Sequence, residues 1–115
     1  MAQRNAASTH GVDMMWFQQG DVLITPATLP ADAHLAGEGI LARGEATGHA
    51  HRLDAATDGL LYETSDGRLF LRVGPQGARI THEEHRPVVV PQGEYVIGRV
   101  REYDHFAEEA RQVRD

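Results

Sequence analysis

Leu60-Leu61-Tyr62-Glu63-Thr64-Ser65-Asp66-Gly67-Arg68-Leu69-Phe70-Leu71-Arg72-Val73 holds two apolar runs around an Asp-Gly pair. Asp-Gly between alternating apolar residues is a strong hairpin signal, because both residues tolerate the left-handed backbone of a tight turn. With Asp66-Gly67 as a two-residue loop, Ser65 lies opposite Arg68 and Thr64 opposite Leu69. Glu63 then faces Phe70, Tyr62 faces Leu71 and Leu60 faces Val73. That register gives one face to Leu60, Tyr62, Leu69, Leu71 and Val73, the expected core face. Glu63, Ser65, Arg68 and Arg72 take the other, where Glu63 is expected in a surface ion pair and not on a metal.

Downstream, Gly74-Pro75-Gln76-Gly77 reads as a turn. Ala78 to His82 follows as a strand, with Ala78, Ile80 and His82 on one face and Arg79 and Thr81 on the other. Val88-Val89-Val90 is a short strand, Pro91 to Glu94 a turn, and Tyr95 to Arg101 the last long strand. Asp104 reads as the N-cap of a short helix over 105–113 with Phe106, Ala110 and Val113 as its apolar stripe. Upstream, Asp54 to Gly59 is a turn and residues 48–53 a strand. Ile40 to Arg43 and Val22-Leu23-Ile24 read as further strands. The loop over 28–38 has room for one helical turn around 31–35. Residues 1–14 show no hydrophobic period and read as a loose arm. The expectation is one all-β domain over residues 15–115, a small antiparallel barrel or sandwich.

The composition agrees. The 115 residues suit one core, 41% are hydrophobic and 24% charged. Only 6% are aromatic, so aliphatic residues must carry the core. The net charge of −6 disfavours nucleic acid as a partner. No apolar run approaches the ~20 residues of a membrane-spanning helix. The N-terminus lacks the basic-then-apolar layout of a secretory signal. A cytoplasmic, bacterial-type protein is the expectation. There is no cysteine, so a transition-metal site must draw on His, Asp, Glu or water.

The chemistry concentrates in Gly48-His49-Ala50-His51-Arg52. Residues two apart on a strand share a face. His49 and His51 therefore point together, and Arg52, which needs water, sends them inward. His82 is placed inward by Ile80 and Arg79, on separate grounds. Neutral imidazoles converging from two strands suit a divalent transition metal such as Zn, Fe, Mn, Ni or Cu. His49, His51 and His82 are the expected ligands, with His85 joining or orienting them. A buried polar network, or a pocket for an anion or carbohydrate, is the competing reading. His10, His34 and His105 read as ordinary surface residues. Asp54, Glu45, Glu83 and Glu84 are nearby carboxylates without an assigned role. His82-Glu83-Glu84-His85 differs from the metalloprotease helix motif, which spaces its histidines four apart. No Walker or dinucleotide loop and no serine nucleophile motif is present.

With Gly48-His49-Ala50-His51 and the turn Pro91-Gln92-Gly93, the chain resembles the cupins over residues 44–100. That resemblance implies a double-stranded β-barrel, often dimeric, with a divalent metal and varied chemistry. Only His49 and His51 carry over. Ala55 and Ala56 stand where the family's Glu is expected, Val96 stands where its late His is expected, and His82 and His85 precede the turn. Gln19 to Leu23, Gly44 to Arg52, His82 to Pro87 and Arg101 to Tyr103 also resemble a group of short bacterial proteins of unknown function. Three functions fit these features: a metal-dependent enzyme on a small molecule, a non-catalytic metal-binding module, or a homo-oligomeric structural protein whose histidines line a core or interface.

Overall fold

The structure is a computed structural model that describes residues 3–9, 12–44 and 48–100. The helix expected over 105–113, together with Glu45, His10 and His105, lies outside these residues. The strands are β1 (Gln3–Thr9), β2 (Val12–Gln19), β3 (Val22–Pro26), β4 (His34–Leu35), β5 (Ile40–Arg43) and β6 (Ala50–Leu53). They continue as β7 (Gly59–Glu63), β8 (Leu69–Val73), β9 (Ala78–Thr81), β10 (Val88–Val90) and β11 (Gly93–Arg99). One sheet of seven strands runs β1-β2-β3-β11-β8-β7-β4, and one of four runs β10-β9-β6-β5. All pairings among the described residues are antiparallel. The sheets do not close on each other, so the all-β fold is a sandwich and not a sealed barrel.

The core is where the inner faces meet. Val22, Ile24 and Leu71 come from the larger sheet, and Ile80, Val88 and Val90 from the smaller; all six are fully buried. Each such side chain contributes about 1.5–3 kcal/mol through burial. These residues recur at every second position, the period that puts one face of a strand inside.

The hairpin forms where expected, but in another register. The Thr64 N–H donates to the Arg68 carbonyl at 2.9 Å and the Gly67 N–H to the Thr64 carbonyl at 3.0 Å. Gly67 sits at φ +87°. The loop therefore has three residues, Ser65 to Gly67, with a left-handed glycine closing it, the next most common hairpin after the two-residue kind. The extra residue slides β7 by one position. Glu63 pairs with Leu69, Tyr62 with Phe70 and Leu61 with Leu71. Leu61 is 3% exposed and Leu60 49% exposed, so the core face expected for β7 is corrected from Leu60 and Tyr62 to Leu61. The assignment of Leu71 and Val73 to the core stands. Glu63 moves to the inward side, away from Arg72, which pairs with Glu94 instead.

Two other readings change. Among the described residues, strand structure is present before Met15, since β1 pairs with β2 from Gln3↔Gln18 to Thr9↔Val12. Backbone pairing at a sheet edge needs no apolar period, so the polar sequence concealed it. In place of the helical turn expected around 31–35 there is a reverse turn, closed by the Ala33 N–H on the Pro30 carbonyl at 3.1 Å. The chain then adds β4 to the edge of β7 through His34↔Glu63 and Leu35↔Tyr62.

Candidate functional site

The site grows from the end of the β2–β3 hairpin. Gln19 and Val22 pair across the two-residue turn Gly20-Asp21. Gln19 shares the inward parity of Met15 and Phe17 and is 2% exposed. A buried amide must be satisfied. Its Nε2 donates to the carbonyls of Ile80 at 3.0 Å and Arg86 at 2.9 Å. Both amide hydrogens are thus spent, one on β9 and one on the β9–β10 connection, which leaves Oε1 as the group facing His51 Nδ1 at 2.8 Å. Oε1 can only accept, so Nδ1 carries the proton, as assigned from the hydrogen-bond network. His51, 3% exposed, therefore holds its lone pair on Nε2.

That nitrogen looks toward the Gly20-Asp21 turn. Asp21 Oδ1 lies 3.6 Å from His51 Nε2. Asp21 Oδ2 accepts from Arg99 Nε at 3.0 Å and Nη2 at 2.5 Å. Gly20 has φ +58°, and a Cβ there would lie 2.7 Å from His85 Nε2 and 3.3 Å from His51 Cε1. Glycine thus serves twice: it supplies the left-handed turn, and it lets backbone lie against two imidazoles.

The rings form a chain. The centroids of His51 and His82 are 4.3 Å apart, those of His82 and His85 4.6 Å, and those of His51 and His85 5.9 Å at an interplanar angle of 14°. His49 sits just before β6 with its centroid 5.9 Å from that of His82, and its Nδ1 lies 2.8 Å from Glu84 Oε2. His82 Nδ1 accepts the Glu84 N–H at 3.0 Å, so neutral His82 carries its proton on Nε2. His82 is half-buried and His85 exposed. Of the four clustered histidines, His51, His82 and His85 come together ring to ring, while His49 is held at the edge by Glu84. As placed, no group of three or more His, Asp or Glu side chains among the described residues gathers donor atoms for a metal ion.

The electrostatics favour the neutral form of His51 and of His82. Burial pushes His51 down to about 4, helped by His82 and opposed by Asp21. Burial and the neighbouring His85 also lower His82. Burial works to raise the Asp21 carboxyl, but the bonds and charge of Arg99 outweigh it and the net direction is down. A neutral imidazole thus faces an ionised carboxylate.

The other carboxylates have structural work. Glu83 accepts the Ala50 N–H at 2.9 Å and pairs with Arg52 at 2.6 Å; chiefly the Ala50 bond draws its carboxyl to about 2. It clamps the outer side of β6, where Arg52 was expected. Asp54 Oδ1 takes the Ala56 N–H inside its turn. Gln19, Asp21 and Arg99 were not singled out by sequence reasoning. The available signal was a polar residue at an inward position, directly before a Gly-Asp turn between two apolar runs.

No curated protein and no solved structure matches the chain. One family model does, over residues 18–100, the span that carries the sandwich from Gln18 through β11 and every residue of the histidine site. The chain therefore belongs to the family described as a domain of unknown function, DUF8820.

Proposed function

We propose that this domain binds one divalent transition-metal ion at the β2–β3 turn. His51 Nε2 is the anchor, Asp21 Oδ1 and His85 Nε2 are partners, and His82 joins by ring rotation. The single observation that carries the reading is the Gln19 lock. A ligating imidazole nearly always donates its other N–H to a fixed acceptor, which sets the tautomer and aims the lone pair. Gln19 does this for His51 with an amide that is itself held by two carbonyls. An imidazole already neutral at pH 7 gives up no proton to a metal. Two imidazoles and a carboxylate form a borderline donor set suited to Zn, Fe, Mn, Ni or Cu, with positions left for water or a small ligand.

A second reading has its own support: no buried side-chain polar atom among the described residues lacks a partner. The network then serves to tie the two sheets, with Gln19 as the cross-link. Metal content of untagged protein, with Co(II) absorption as the probe, separates the two. Metal binding predicts a near-stoichiometric ion that is lost in His51→Ala and in His85→Ala but kept in His34→Ala. Unchanged Co(II) spectra on adding wild-type protein would leave the sheet-tying role alone.

A further inference from the structure

The register of β7 exposes a second site that involves no histidine. Edge strand β4 of the larger sheet and edge strand β5 of the smaller are joined by the crossover 36–39. Between this crossover and β7 lies a cavity of about 350 Å³, lined by Ala36, Gly37, Ile40, Ala42, Leu69 and Glu63, with Glu38 and Arg43 at its mouth. That size lies within the range of small-molecule sites. Ala36, Ile40, Ala42 and Leu69 give it an aliphatic side, and Glu38, Arg43 and Glu63 a charged one. Arg43 is engaged by Glu38 at 3.0 Å, both being largely exposed. Glu63 is different. It stands on the inward side of β7 opposite Leu69, and among the described residues its carboxylate has no hydrogen-bond or ion-pair partner.

Glu63 is half-buried, so its carboxylate faces the seam and is open to a cationic partner there. We propose that this seam binds a small aliphatic ammonium ion, its charge on Glu63 and its hydrocarbon body against Ala36, Ile40 and Leu69. A charge-assisted N–H···O⁻ bond supplies the polar anchor, and the aliphatic side of the seam favours an alkyl stem over a bare inorganic cation. Gly37 adds room, since a Cβ there would meet nothing within 4 Å.

The test is an amide-shift titration of the full chain with n-butylammonium, run beside butyrate and sodium chloride at matched ionic strength. Saturable shifts are expected at Gly37, Ile40 and Glu63 with n-butylammonium only. E63Q should weaken binding at least about tenfold, while E63D retains it in part. A36L, which fills the cavity and leaves Glu63 in place, should abolish it and covers the case of a misfolded E63Q. No saturation below ~50 mM, equal affinity in E63Q or A36L, or the same shifts with butyrate would overturn the proposal.

Discussion

Acid should destabilise this domain over two pH windows, and His51 should carry much of the loss in the first. In the folded protein burial holds His51 at about 4, whereas in the unfolded chain it has its ordinary value near 6.5. Between those values the unfolded state binds a proton that the folded state refuses, so stability rises with pH there and is lost on acidification. Above about pH 7 both states are neutral at this residue and it contributes no pH dependence. Integrating from about pH 7.5 to about pH 4.5 gives a loss of about 2.5 kcal/mol from this one imidazole. His82 is shifted the same way and adds to the slope. The carboxylates act later. Glu83, drawn from 4.5 to about 2, favours the folded state at neutral pH and loses that effect only as pH falls through this lower window. The assay is urea unfolding of chelator-treated protein at closely spaced pH values, for wild type and His51→Gln. The variant retains a donor for Gln19 but does not titrate. Its stability should fall less than that of wild type between pH 7.5 and 4.5, by about the amount given above. Parallel curves would refute the burial argument, because His51 would then titrate alike in both states.

Two further substitutions test the geometry. Leu61→Ala should cost about 2–5 kcal/mol in denaturant unfolding and Leu60→Ala less than about 0.5 kcal/mol, an order that reverses if the loop has two residues instead of three. Gly20→Ala should cost about 1–2 kcal/mol from its left-handed backbone. It should also displace the exposed His85 ring, visible as an altered His85 side-chain NMR signal, whereas an unmoved ring would disprove the close approach.

What was legible in the sequence follows a physical divide. Strand positions were readable because Ile24, Leu71, Ile80, Val88 and Val90 recur with the period of a pleated chain, and burial enforces that period. The inward placement of His51 and the outward placement of Arg52 were readable for the same reason. The register of β7 was not, because Asp66-Gly67 serves both the two-residue loop and the three-residue loop with Gly67 left-handed. Backbone energy at one glycine chooses between them, and both choices bury a leucine: Leu60 in one, Leu61 in the other. That one-residue choice moves Glu63 from a surface pair to an inward seam, so a detail of turn chemistry decides whether the domain has a second candidate site. The histidine site was half legible for a related reason. Parity selects which side chains face inward, but not what answers them there. Gln19 answers His51 across a sequence separation of 32 residues, and its amide is oriented by carbonyls farther still along the chain. Only the packing of one sheet on the other brings those groups together. The tautomer of His51 is thus a property of the sandwich and not of the His-Ala-His motif.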